Sequence, residues 1–350
     1  MVEYLELKIK TMDSINSILN NANSILVTSH LQPDPDAICS ALAMYEFLKH
    51  KYPKAKVTPF LSGEPMQNYQ TLKGYSDIQW VNEITEHFNN YELIVLVDQS
   101  APNMFTTNTA EFNKSLPKMI CIDHHDNPVP EFAAKYIEKD ASSCSEVIYR
   151  EFFRNDPTLV SADLCEIILT GIFGDTGSMK YINGTNSIVL DTIKELLIKS
   201  NLTVQDIQRK YFGYTNSDLL VIGQLLQNLK KVDDFTYPYI YSYLNPNILN
   251  LVSFQDIKSA TSKFMFLFSG LIKGYDWGFV LMPEEKDLYR LSFRSIIGSV
   301  NVRMLTTEYF NGGGHDVTSG GKFESIQDEP VEDVCARIIS IIKSADIKKI

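Results

Sequence analysis

The 350-residue chain reads as an α/β protein: a parallel-sheet N-terminal domain, a helical connector and a smaller α/β domain. Three observations predict this. Short apolar runs alternate with amphipathic stretches through the first half. Those runs are apolar throughout, as in parallel strands buried on both faces. After Asp233 the pattern changes to strand-like stretches around one helix, followed by a Gly-rich segment.

Residues 24–29 (SILVTS) read as the first buried strand. A helix over 36–50 follows, with Ala37, Ala41, Leu42, Tyr45 and Leu48 near helical spacing. Residues 56–60, 93–97 (LIVLV) and 119–122 (MICI) are the next strands, and helices follow near 145–153, 162–173 and 187–199. The charged, helical stretch 204–231 reads as a connector. Strand-like 236–243, 277–281 and 289–293 then surround a helix at 256–269, and a final helix starts near Val331. The expected domains are therefore 1–203, 204–232 and 233–350.

Composition narrows the function classes. The net charge is -11 and no long Lys or Arg run occurs, which argues against long duplex DNA, whose binding relies on many basic phosphate contacts. An acidic chain that binds nucleotides needs local positive charge, from a few side chains or from metal ions. The cysteines, Cys39, Cys121, Cys144, Cys165 and Cys335, form no C-x-x-C pair and are odd in number, which fits a reducing compartment. Residues 1–20 lack a signal-peptide core, and the longest apolar run, 264–272, is too short to span a membrane. A cytoplasmic location without membrane partners is expected.

Polar residues cluster where the strands end. The first cluster is His30-Leu-Gln-Pro-Asp34-Pro-Asp36, the second Asp98-Gln-Ser, the third Asp123-His124-His125-Asp126 and the fourth Gly174-Asp175-Thr-Gly177. Three have a plain structural explanation: Asp36 as a helix N-cap, Asp98 as a turn cap, the glycines as a helix C-terminal turn. Core histidines are a less attractive explanation for the third, whose pair is flanked by two carboxylates. Together they gather His30, Asp34, Asp36, Asp98, His124 and Asp175, enough imidazole and carboxylate for two ions such as Mn²⁺. Two metals sharing a carboxylate can clamp a phosphoryl group. Further on, Arg294 offers a planar fork for phosphate. The glycines in Asn311-Gly312-Gly313-Gly314-His315 let backbone approach an anion, or else form a hairpin. Tyr181, Phe293 and Phe310 are candidates for base stacking, with at least two of them expected in the core.

These motifs, in this order, resemble the DHH phosphoesterase superfamily, named for the Asp-His-His of the third cluster. The Gly-rich segment and the Leu291-Ser-Phe-Arg294-Ser strand resemble its associated substrate-binding domain. The compact layout is most similar to the RecJ-like nanoRNase/pAp phosphatase subfamily. The resemblance implies one metal on His30, Asp34 and Asp98 and another on Asp36, Asp98, His124 and Asp175. Asp98 would bridge the two ions, and Mn²⁺ would be the usual metal. It gives His125 a contact to the scissile phosphate, and it makes Arg294, Gly312, Gly313, Gly314 and His315 substrate-binding. The implied activity is hydrolysis of short oligonucleotides or 3′-phosphoadenosine 5′-phosphate (pAp) by two-metal activation of water, with a homodimer as a candidate assembly. The alternatives are a cyclic- or linear-dinucleotide phosphodiesterase and, from another class, a non-catalytic nucleotide-binding protein. Cys39 and Asn311 stand where relatives have glycine, with effects expected on packing and on substrate preference.

Overall fold

The apolar runs of the first half assemble into one parallel sheet. In the computed structural model, residues 2–126, 129–268 and 272–350 are described, with backbone alone for 2–9 and 267–268. Met1, at the start of the expected leaderless N-terminus, lies outside them. So does Ser269, the expected end of a helix, with part of the apolar run 264–272.

The N-terminal elements are α1 (Val2–Asn21), β1 (Ser24–Thr28), α2 (Pro35–Lys51), β2 (Lys56–Ser62), β3 (Gln79–Val81), β4 (Leu93–Val97), α3 (Thr109–Ser115), β5 (Met119–Asp123), β6 (Ala134–Ile137), α4 (Cys144–Ile148), α5 (Ala162–Asp175), α6 (Val189–Ser200) and α7 (Val204–Tyr211). A π-helical turn, Tyr149–Phe153, extends α4. The strands run parallel in the order β3-β2-β1-β4-β5-β6. The chain winds outward from β1 to β3 and then returns to β4 on the other side of β1. In such doubly wound sheets ligands bind beyond the carboxyl ends of the strands, at this switch point. Every residue of β4 and β5 is buried. One face packs Val27, Val95 and Ile120 against α2, α4 and α5; the other packs Leu26, Ile94 and Met119 with Phe88, Phe105 and Phe112.

Helix α2 begins differently from the N-cap reading. Asp34, not Asp36, is the cap: its side chain accepts from the Ala37 N–H at 3.0 Å, and Pro35 takes the first helical position. Asp36 is thereby freed for another role and is fully buried.

The chain divides into two units, Met1–Gly213 and Tyr214–Ile350. The stretch predicted as a connector is shared between them because its helices have apolar faces. Ile207 and Tyr211 of α7 enter the first core, and Val221, Ile222 and Leu225 of α8 (Asn216–Gln227) enter a core of the second. The second unit continues with β7 (Lys230–Val232), β8 (Tyr239–Tyr243), α9 (Phe254–Phe268), β9 (Trp277–Glu285), β10 (Leu288–Ser295), α10 (Val302–Tyr309), β11 (Gly313–His315), β12 (Thr318–Glu324) and α11 (Val331–Ser344). Its mixed sheet has the order β11-β12-β10-β9-β8-β7. One face packs Phe279, Leu291 and Phe293 with Val302 and Leu305 of α10 and Val334 and Ile338 of α11; on the other, Val280 and Met282 pack with α8 and α9. Among the described residues no helix is long and apolar enough to cross a membrane. All five cysteines are free and buried.

Candidate metal centre

Adjacent strands β1, β4 and β5 end side by side, and each delivers site residues at its carboxyl end. His30 follows β1, Asp98 directly follows β4, and His124 and His125 follow Asp123 at the end of β5. Asp34 and Asp36 come from the start of α2, and Asp175 is the last residue of α5. The reading of Asp175 as part of a helix C-terminal turn and its reading as a site residue are therefore compatible.

Asp98 sits at the centre. Its side chain is 2% exposed; Oδ2 lies 3.6 Å from His30 Nε2 and Oδ1 lies 3.4 Å from His124 Nε2. His124 Nε2 is also 3.1 Å from Asp175 Oδ2. The backbone of Asp98 is left-handed, φ 62°, while its N–H donates to Ile122 O at 3.0 Å. Such a conformation costs a non-glycine residue on the order of 1–3 kcal/mol and clusters at functional sites. Two groups have atoms close enough for one ion each: His30, Asp34 and Asp98, and Asp36, Asp98, His124 and Asp175. These groups have the same members as the two ligand sets that the family resemblance implies, with Asp98 common to both.

The imidazoles are oriented by their other nitrogens. Nδ1 of His30 lies 2.9 Å from Leu31 O, Nδ1 of His124 lies 3.3 Å from Ala141 O, and Nδ1 of His125 lies 2.7 Å from Asp123 Oδ1. Oxygen partners require Nδ1 to carry the hydrogen, which leaves Nε2 of His30 and His124 as the ligand atom; outer oxygens orient metal-binding histidines in this way. His125 Nδ1 also comes within 3.9 Å of Asp98 Oδ1, and these two join His124 in a third close group. Its hydrogen, however, is directed to Asp123. The side chain is more open than those of His30 and His124, at 39% exposure.

The residues fit divalent ions on two grounds. Asp98 Oδ1 and His124 Nε2 are buried without a hydrogen-bond partner, although they face each other. Buried polar atoms seldom stay unpaired unless an ion or a water completes them. The charges make the same demand. Burial, reinforced by Asp98 and Asp175, raises Asp34 to about 6 and pushes Asp36 well above the ordinary carboxylate value. Burial also raises Asp175. For the histidines burial acts downward, yet Asp98 lifts His30 to about 9, and Asp175 with Asp98 holds His124 well above the ordinary imidazole value. The cluster calls for positive charge, which divalent ions supply.

In the second unit, β-sheet register brings Arg294 and His315 into one row. Thr318 on β12 pairs with Arg294 on β10 and with His315 on β11. Directly paired residues project from the same face, so the two basic side chains share a face, two strands apart. Arg294 Nη1 donates to Phe293 O at 2.9 Å, and His315 is exposed. The glycines divide in function. A Cβ at Gly312 would lie 1.9 Å from Gly320 O, and one at Gly314 would lie 2.6 Å from Thr318 O, whereas Gly313 faces open space. The hairpin reading thus accounts for Gly312 and Gly314. Asn311, at φ 47°, takes the left-handed conformation that Asn tolerates. Phe293 and Phe310 are fully buried and 5.5 Å apart between ring centroids, so they are core residues; Tyr181 is 52% exposed. Cys39 is a fully buried packing residue.

The sequence reading assigned no role to several residues that hold the site. Asp123 Oδ1 accepts from His124 N, His125 N and His125 Nδ1. The Cys144 N–H donates to Asp36 Oδ2 at 2.7 Å and the Ser145 N–H to Asp36 Oδ1 at 3.0 Å. Only the Asp123 carboxylate, beside the paired histidines, gave a signal in the sequence.

Comparison with known proteins agrees with this architecture. Residues 24–172 match the model of the DHH family, N-terminal domain. A bifunctional oligoribonuclease and PAP phosphatase NrnA of Bacillus subtilis is 25% identical over 307 residues, 87% of this chain and 90% of the relative. A probable manganese-dependent inorganic pyrophosphatase of Lactiplantibacillus plantarum is 28% identical over 193 residues, 54% of this chain and 57% of the relative. The crystal structure of an exopolyphosphatase-related protein from Bacteroides fragilis superposes with a TM-score of 0.79 at 25% identity, covering 95% of this chain and 96% of that one. With the Asp-His-His cluster at the end of β5 and its partners at the neighbouring strand ends, residues 24–172 are a DHH family domain.

Proposed function

We propose that the protein is a divalent-metal phosphoesterase that hydrolyses short oligonucleotides, pAp or both. The observation that carries this reading is the sharing of buried Asp98 between two ligand sets at the ends of β1, β4 and β5. His30 and Asp34 would hold one ion, Asp36, His124 and Asp175 the other, and Asp98 both. When bound, the ions, with Mn²⁺ the candidate, would supply a water of lowered pKa and neutralise phosphoryl charge. As an imidazolium, which the Asp123 carboxylate favours, His125 would keep its Nδ1–H on Asp123 and donate its second hydrogen from Nε2 to a phosphoryl oxygen as charge develops there. Arg294, His315 and the open backbone at Gly313 would bind the nucleotide portion. Similarity to a protein named as an oligoribonuclease and PAP phosphatase over most of both chains supports this choice of substrate.

The test is a panel assay on metal-stripped protein with and without Mn²⁺. Dinucleotide to pentanucleotide RNAs, pAp, cyclic dinucleotides, polyphosphate and pyrophosphate would be compared. Mn²⁺-dependent cleavage of the short RNAs or pAp is expected. Preference for pyrophosphate, polyphosphate or a cyclic dinucleotide would replace the substrate assignment, and nucleotide binding without turnover would replace the enzyme by a binding protein.

A further inference from the structure

We propose that Gly171 is a positioning residue that sets Asp36 for one of the two metal positions. This rests on the metal reading above. Gly171 lies in the middle of α5, where glycine costs roughly 1 kcal/mol relative to alanine. It has no positive φ to explain it. What explains it is space: a Cβ at this position would lie 2.0 Å from Ser145 Oγ, 2.7 Å from Ser145 Cβ and 2.7 Å from Asp36 Oδ1. The missing side chain lets α5 press against the first turn of α4, where Asp36 is gripped. Both Asp36 oxygens are occupied there, Oδ2 by Cys144 N–H and Oδ1 by Ser145 N–H, with Ser40 Oγ 3.4 Å from Oδ1. Ser145 Oγ in turn lies 3.1 Å from Ser40 Oγ. The carboxylate is fully buried, so it has no room to swing elsewhere.

The consequence is specific. Asp36 belongs to the set with Asp98, His124 and Asp175 and not to the set with His30, Asp34 and Asp98. Displacing it changes one metal position and spares the other. Gly171→Ala should push Ser145 Oγ and Asp36 Oδ1 away from the new methyl group. Removing the Ser145 hydroxyl takes away the nearest obstacle and keeps the Ser145 N–H that Asp36 uses, while Ser145 Cβ and Asp36 Oδ1, each 2.7 Å from the new methyl group, remain.

The experiment is Mn²⁺ titration of metal-stripped protein, with free Mn²⁺ counted by electron paramagnetic resonance and folding checked by circular dichroism. Wild type is expected to bind two ions. Gly171→Ala should weaken one of them by about 10–100-fold, the range seen when an outer partner of a metal ligand is lost, and leave the other unchanged. The double variant Ser145→Ala/Gly171→Ala should recover part of that loss, because the 2.0 Å contact is relieved and the 2.7 Å contact to Asp36 Oδ1 is not. Unchanged or equally weakened binding of both ions in folded Gly171→Ala would overturn the inference, as would a double variant no better than the single one. If Gly171→Ala does not fold, the double variant decides alone: one weakened and one unchanged Mn²⁺ ion support the inference, and two ions both unchanged or both weakened alike overturn it. A wild type that binds no Mn²⁺ would instead refute the metal reading on which this rests.

Discussion

Asp98 is the residue on which both candidate metal positions depend, and its left-handed backbone is the local cost of aiming its carboxylate between His30 and His124. Asp98→Ala should therefore release both Mn²⁺ ions, unlike the one-ion effect expected at Gly171. Turnover should fall by more than the roughly 10–100-fold typical of an outer-shell change. Mn²⁺ titration and a short-RNA assay on the folded variant check it, and retention of either ion at full affinity would remove the bridging role. The adjacent histidines should separate. His124→Ala removes a nitrogen that faces Asp98 and Asp175 and should lose metal. His125→Ala should keep both ions and lose turnover by about 10²–10³-fold, the scale of a lost donor to developing charge; equal metal loss in the two would reverse the assignment. Much of the site's composition was legible because imidazoles and carboxylates are conspicuous at the ends of apolar runs. Its supports were not. Cys144 meets Asp36 through backbone N–H across 108 positions of sequence, and Gly171 acts by lacking atoms, so neither leaves a chemical mark in its own neighbourhood.

Strands β4 and β5 were readable because every residue is apolar or buried, whereas β3 and β6 were not. Both are short edge strands with half-exposed residues, and an edge needs no continuous apolar run. The same limit applied to β11, which is exposed along its length and owes its pairing with β12 to backbone proximity. The β11–β12 hairpin gives a prediction at this scale. Gly312→Ala would drive a methyl group into Gly320 O and should lower the melting temperature, because the close backbone approach leaves nothing soft to move. Gly313→Ala meets no atom within 4 Å and should leave stability within about 0.5 kcal/mol of wild type. If Gly313 is where the hairpin backbone meets the nucleotide, this silent change to the fold should raise KM for short RNA. Thermal denaturation and steady-state kinetics on the two variants decide it, and a Gly313→Ala enzyme with unaltered KM would assign all three glycines to the hairpin.

Across the whole molecule the charge is set against long nucleic acid. The net charge is -11, and many basic side chains are already engaged with acids: Arg150 with Glu138, Arg290 with Glu284, Arg303 with Asp316 and Arg337 with Glu329. Affinity for a long strand accumulates from many phosphate contacts and falls steeply with salt, by about 0.7 log units per contact and per log unit of salt for single strands. If Arg294 and His315 grip one nucleotide end, further phosphates add no contacts and meet a chain of net charge -11. RNAs of about two to five nucleotides should therefore be cleaved with higher kcat/KM than strands of about twenty, whose binding would need the missing contacts. For the short substrates the slope of log kcat/KM against log salt should lie near -1, corresponding to one or two contacts. Arg294→Ala should flatten that slope and raise KM for short RNA, while hydrolysis of a small generic ester such as bis-p-nitrophenyl phosphate, which has no nucleotide to grip, changes much less. Measured over a salt series with fixed Mn²⁺, a slope of about -5 or steeper would mean that a long strand is bound along its length. That result, or faster cleavage of the long strand, would require a basic track that the charge distribution along this chain does not provide.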